Sequence, residues 1–228
     1  MEACRLPWIL ALLGATVPLS TRSAVYGVAL NFRSELEKLQ PKMSADPYKK
    51  PPEAPILYLR PRNTWNVAGG SVVLPKEATA LKIAGTLGVV MGRTACRVSA
   101  AQALDFVAGY IAVSDASIPH ESYYRPAIKE RCRDGFCCFG AEPLKLADPN
   151  RVEIRVLVDG QLRSSANTAG LVRPIQNLIA DISEFITLRE GDVLLAGEPL
   201  DSPLVVAGSM TRVEIDGLPP LENLVVAA

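Results

Sequence analysis

The chain has 228 residues, 49% of them hydrophobic, which suits one large domain or a compact pair with a sizeable core. Its 24 basic residues balance 24 acidic ones, so no chain-wide field favours nucleic acid, an anionic membrane or a phosphate-rich ligand. Five cysteines without a C-x-x-C pair, and a single histidine, argue against a disulfide framework and a zinc site and favour reduced thiols.

Residues 6–19 form an apolar run between Arg5 and a small polar segment, the outline of a secretory signal that is too short to span a bilayer. The unpaired cysteines favour the other reading, a cytoplasmic protein with an N-terminal extension over 1–24; export is the alternative. A short strand is predicted over 25–30, then a helix with Ser34 near its cap. Residues 43–55 form a proline-rich, lysine-bearing loop. Further strands fall at 56–59 and 71–74, separated by a turn at 66–70.

The stretch 81–136 organises the chain. An apolar run closes at Gly92, and a second, over 109–115, ends in Asp115, as two strands feeding one pocket would. Asp115 could offer an oxygen to a hard divalent cation, but one carboxylate does not hold a metal. Between the runs, Ser99 and Gln102 form a capping-box pattern that predicts a helix over 100–107. Residues 118–140 lack periodicity and gather His120, Glu121, Tyr123, Tyr124, Arg125, Lys129, Arg131, Arg133 and Asp134. They read either as a pocket wall or as a solvated loop. Cys132, Cys137 and Cys138 read as buried thiols, or as a redox cluster.

Residues 152–156 alternate apolar and charged side chains, and Asp159-Gly160 follows as a type I′ hairpin signal. A helix over 174–186 places Ile175, Leu178, Ile179, Ile182, Phe185 and Ile186 on one face, with Pro174 in its first turn. Strands follow at 193–196 and 211–215. Many short strands with few helices imply a mainly β, α+β domain.

Several segments, in order, resemble the fumarylacetoacetate hydrolase superfamily. They are Asn31-Phe32-Arg33, Leu59-Arg60-Pro61, residues 109–117, Arg131-Cys132-Arg133-Asp134-Gly135-Phe136, residues 187–192 and Ala196-Gly197-Glu198-Pro199. Residues 124–129, 132–137 and 219–223 are most similar to the first, N-terminal-half-like subunit of its isomerase/decarboxylase branch in 4-hydroxyphenylacetate degradation. The resemblance implies a mixed β-sandwich/roll of the family's C-terminal-domain type over 25–228.

In that family a divalent cation, held by a Glu-x-Glu strand and a later aspartate, polarises a 2-oxo acid. An enolate is thereby stabilised for decarboxylation or movement of a double bond. Here the two glutamate positions fall on Ala84 and Thr86, leaving Asp115 as the only retained ligand. A family histidine falls on Glu35, two lysines become Arg60 and Arg131, and a threonine becomes Glu198.

The resemblance therefore implies no metal in this chain, and magnesium or manganese in a homologous partner subunit of a homo- or hetero-oligomer. Its substrate would be an oxo-carboxylate, with Arg33, Arg60, Arg125 and Lys129 binding its anionic groups and Glu198, Arg131 and Asp134 in catalytic roles. Two other readings stand: a non-catalytic structural subunit, or a metal-independent enzyme, including an acylpyruvate-type hydrolase. In the latter, Glu35, Glu121 or Glu198 is a repositioned acid or base, or His120 pairs with Glu121.

Overall fold

The computed structural model describes residues 19–20, 22–120 and 123–228. Most of the signal-like run, Cys4 and Glu121 lie outside these residues, so neither the N-terminal reading nor the His120–Glu121 pair is addressed by it.

In chain order, β1 (Val25–Ala29) and α1 (Arg33–Met43) precede the short strands β2 (Ile56–Leu59), β3 (Trp65–Val67) and β4 (Val72–Leu74). The long strands β5 (Leu81–Met91) and β6 (Val107–Ser117) flank α2 (Ala100–Ala103). Then come α3 (Ile128–Arg131), β7 (Cys137–Phe139), β8 (Glu153–Val158), β9 (Gln161–Asn167) and α4 (Ile175–Ser183). Finally β10 (Val193–Leu195), β11 (Leu204–Val205), β12 (Met210–Ile215) and β13 (Leu221–Ala227) complete a mainly β, α+β fold.

The strands form two sheets. An eight-stranded sheet runs β2-β1-β10-β5-β6-β7-β3, with β11 also on β5, and a five-stranded sheet runs β4-β13-β12-β8-β9. Their facing sides share the main core, in which Ile83, Leu87 and Val89 of β5 join Ile154, Val156 and Val213. Helix α4 adds Ile175, Leu178, Ile179 and Ile182 to that core. Successive strand residues point to opposite faces, so the even-numbered residues of β5 face the other way. There Val90 packs with Ile111, Val113 and Leu195.

Local chemistry explains most boundaries. Asp159 and Gly160 both adopt positive φ, 52° and 77°, as a type I′ turn requires, and join β8 to β9. Pro174 caps α4 from outside, where its missing N–H costs nothing. Three local expectations are corrected. Ser34 lies inside α1, whose N-cap is Phe32 with no side-chain cap. The 100–107 helix shortens to one α turn and a 3₁₀ turn, and the Ser99 hydroxyl donates to the Gln102 side chain rather than capping. Phe185, expected on the buried face, is 64% exposed because α4 ends at Ser183.

Cys137 and Cys138 are buried in β7, Cys132 is half-buried and Cys96 exposed, all as free thiols. Burial pushes both β7 thiols up in pKa, which makes them unreactive rather than redox-active.

Gly85 sets the spacing of the sheets. A Cβ there would lie 2.8 Å from Val156 Cγ2 and 3.1 Å from Ile154 Cγ2 and Val213 Cγ1. Gly85→Val is expected to destabilise the protein by roughly 1–3 kcal/mol through overpacking, read as a lower urea midpoint with an unchanged m-value.

Candidate functional site

The site is built on the face of β5 and β6 turned away from the five-stranded sheet. In the antiparallel register Ala84 stands opposite Asp115 and Thr86 opposite Val113, so residues 84, 86 and 115 share that face. Thr86 is buried and its hydroxyl accepts from the Gly197 N–H at 3.4 Å.

Over this face lies a buried ion network. The Arg60 guanidinium makes an ion pair with Asp115 Oδ1 and donates to the carbonyls of Arg131 and, at 2.7 Å, Ala116. Arg131 places its fork on Glu198, with Nη2 3.0 Å from Oε2 and Nη1 on Oε1, the bidentate geometry guanidinium favours. The Tyr58 hydroxyl bridges the two carboxylates, 2.6 Å from Asp115 Oδ2 and 3.1 Å from Glu198 Oε1. Lys82 Nζ donates to Glu198 Oε2 at 3.1 Å. The Arg131 guanidinium also sits over the Tyr58 ring, 4.3 Å from its centroid.

Close packing admits that ring: a Cβ on residue 27 would fall 2.0 Å from Tyr58 Cζ, so position 27 must be glycine. Burial pushes the Glu198 carboxyl up, but Arg131 and then Lys82 override it and hold it well below the usual carboxylate range.

These residues do not fit a divalent cation. Asp115 is engaged by Arg60 and Tyr58, positions 84 and 86 carry no carboxylate, and guanidinium groups already neutralise the buried acids. Among the described residues no group of three or more His, Cys, Asp or Glu side chains could hold a metal ion.

Beside the network opens a cavity of about 320 Å³ whose lining includes Glu35, Lys38, Lys42, Lys82, His120 and Tyr123. Glu35 is only 4% exposed. Its Oε1 accepts from the Tyr123 hydroxyl at 2.6 Å and its Oε2 from the Leu30 N–H at 3.1 Å. Burial, followed by repulsion from Glu198, raises the Glu35 carboxyl to about 7 against the pull of Tyr123 and Lys82. Two carboxylates in one site are thus driven apart, Glu198 permanently charged and Glu35 poised to exchange its proton near neutrality.

Asn31 holds the frame. Its side chain donates to Ala196 O at 2.7 Å and Arg173 O at 3.2 Å and accepts from Arg173 N–H at 3.0 Å. The turn before α1 is thereby tied to the loop bearing Glu198. In that loop Gly197 sits at φ 147°, a conformation open to glycine and little else.

The structure rearranges the sequence-based site. Arg131 and Glu198 meet as each other's partners, and Glu198 lies below rather than above the usual carboxylate range. Arg60, expected on an anionic group of the substrate, is buried with its guanidinium on Asp115 and the carbonyls of Arg131 and Ala116. Arg33, Arg125 and Lys129 are exposed and do not line the Glu35 cavity. Asp134, expected in a catalytic role, is also exposed. It accepts from Asn63 Nδ2 at 2.7 Å and lines a different cavity of about 490 Å³. That larger space has Arg133 paired with Glu77 at 2.7 Å.

His120 packs its ring against Tyr123 and accepts the Arg131 Nε–H at its own Nε2, 3.1 Å away, which requires that nitrogen to be unprotonated. Lys38, Lys42 and Lys82 went unselected in the sequence. The spacing 35, 38, 42 already placed the first two on the Glu35 face of a helix.

The fumarylacetoacetate hydrolase C-terminal family matches residues 24–226. The chain is 38% identical over 205 residues to the 4-hydroxyphenylacetate degradation bifunctional isomerase/decarboxylase of Escherichia coli, covering 90% of this chain and 47% of that one. It spans about half the length of the first three curated relatives it matches. It is 30% identical to a mitochondrial oxaloacetate tautomerase of Oryza sativa subsp. japonica, covering 90% of this chain and 91% of the relative. Among solved structures, 5-carboxymethyl-2-hydroxymuconate delta-isomerase from Mycobacterium smegmatis superposes with a TM-score of 0.78 at 29% identity, covering 90% of this chain and 79% of that one.

Two outcomes follow from the electrostatics. Arg131→Ala strands Glu198 as a buried unpaired charge and is expected to cost roughly 3–5 kcal/mol, whereas the pair Arg131→Met with Glu198→Gln recovers most of that loss in urea unfolding. The folded-state value of Glu35, about 7, lies above its ordinary 4.5. Its contribution to stability is therefore complete below 4.5 and lost as pH rises through 7. Between pH 4.5 and 8 the wild type should lose on the order of 3 kcal/mol relative to Glu35→Gln.

Proposed function

The chain belongs to the fumarylacetoacetate hydrolase family, and from that premise we propose that it is one subunit of an isomerase/decarboxylase of 4-hydroxyphenylacetate catabolism. The substrates would be 5-carboxymethyl-2-oxo-hex-3-ene-1,7-dioate for decarboxylation and 2-hydroxyhepta-2,4-diene-1,7-dioate for isomerisation. A homologous partner subunit carries the divalent cation, magnesium or manganese, and the share of the chemistry that depends on it. The 38% identity to the Escherichia coli relative supports this assignment.

The observation that carries the role of this chain is the Glu35 cavity. Moving a double bond along an oxo acid requires removing a proton beside the carbonyl and returning one further along the chain. A carboxyl titrating near 7 is populated in both forms at neutral pH, so it can do either. Tyr123 and Leu30 fix its two oxygens, while Lys38, Lys42 and Lys82 surround the space with positive charge suited to a dicarboxylate.

A second reading, that this chain alone tautomerises an oxo-dicarboxylate without metal, is favoured by its near-complete overlap with the rice tautomerase.

Isomerisation and decarboxylation should be assayed with this chain alone and with a metal-bearing family subunit, each with and without magnesium. Activity only in the mixture supports the subunit reading. Metal-independent isomerisation by the chain alone supports the second, and inactivity in every arm overturns both. Glu35→Gln should lower isomerisation about 100-fold or more and abolish a break near pH 7 in the kcat/KM profile, with binding of the substrate dianion preserved.

A further inference from the structure

The charge around the Glu35 cavity turns on one proton. Arg60, Arg131 and Lys82 stand against Asp115, Glu198 and Glu35. Ionised Glu35 balances that set, whereas neutral Glu35 leaves a positive charge in excess beside Lys38 and Lys42, which line the same space. We propose that this cavity takes up a dicarboxylate dianion together with a proton, and that Glu35 holds that proton in the complex. The inference rests on the oxo-dicarboxylate reading of the cavity and adds the state in which its acid meets the ligand.

Titratable groups reach Glu35 from every side. Its own helix α1 contributes the exposed Lys38 and Lys42, and β5 contributes Lys82. The segment after β6 adds His120 and Tyr123, and the loop after β10 adds Glu198, which repels the Glu35 carboxylate. Two contacts suit Glu35 to either state. The Leu30 N–H stays on Oε2, while the Tyr123 hydroxyl, a donor to the ionised carboxyl at 2.6 Å, can turn and accept from the neutral one. His120 is placed differently, because its Nε2 already accepts the Arg131 Nε–H and a proton there would break that bond.

Lys82 connects the ligand to that proton. An ammonium has three donors, so the contact with Glu198 at 3.1 Å leaves others for a ligand carboxylate. A carboxylate settling there brings negative charge into the cavity that Glu35 lines, and offsets the lysine charge that favours the Glu35 anion. Both effects favour the neutral carboxyl. Linkage makes them mutual: the factor by which the dianion tightens proton binding is the factor by which the proton tightens binding of the dianion. The free carboxyl titrates at about 7, so above that pH the complex holds a proton that most of the free protein lacks. Glu35 therefore meets the ligand as an acid, able to give a proton and not to take one.

The test is calorimetric titration of the isolated chain with 2-oxoglutarate and with glutarate at pH 7.5, in Tris and in HEPES, whose different ionisation heats reveal protons taken up on binding. Uptake of roughly half a proton or more per ligand is expected, with affinity falling by up to about tenfold per pH unit above pH 8. Glu35→Gln should bind without uptake and with an affinity nearly independent of pH. In the unsubstituted chain the carbon-13 resonance of the Glu35 carboxyl should titrate at higher pH with 2-oxoglutarate than without it. Heats that do not depend on the buffer, uptake that persists in Glu35→Gln and so belongs to another group such as His120, or no binding of either dianion overturns the proposal. The titration requires neither turnover nor partner, so its failure is separable from failure of the subunit reading, which the mixture assay addresses independently.

Discussion

The pairing of Arg60 and Arg131 with Asp115 and Glu198 is the constraint from which the site follows. Taking four charges out of water is costly, and here each charge meets one of opposite sign while the Tyr58 hydroxyl spans the two acids, although Arg60 Nε and Asp115 Oδ1 make no hydrogen bond. With the fixed charges satisfied among themselves, the cavity next to them is lined by the groups left over. These are a carboxyl that burial and Glu198 raise, and the exposed lysines of α1.

The same network gives a face that resembles a cation-binding one a different balance of charges. Ala84 and Thr86 remove the negative charge that a metal would have to neutralise, and the two arginines supply the positive charge that remains to be met. Asp115 keeps its position but changes its partner. The two sheets themselves are insensitive to this exchange, because the odd-numbered residues of β5 that bind the sheets together face the other way.

Much of the fold was legible because its signals are local. The Asp159-Gly160 turn, the apolar stripe of α4 and the long runs of β5 and β6 each carry a period or a turn residue that suffices alone. Strands β3 and β7, three residues each, are too short for periodicity and exist because β7 adds antiparallel to β6 and β3 then pairs with β7 in parallel. The site was legible in part. Sequence order and the family resemblance brought Arg131, Glu198, Glu35 and Asp115 into view. Which cations would be consumed by neighbouring acids and which would face a ligand depends on contacts as far apart in the chain as Arg60 and Asp115, or Arg131 and Glu198. No spacing rule encodes that choice, so arginines stood out where lysines line the cavity.

The Asn31 amide gives α1 a fixed end. That amide is fastened to the loop bearing Glu198, and at the other end of the helix Met43 is buried against Ala29 and Leu30. Glu35 is close to the first anchor, while Lys42, seven residues further along and about 10 Å away at the α-helical rise, stands beside the second. Held at both ends, the helix keeps the acid and the lysines at a fixed separation, so an anion entering the cavity has to match that span.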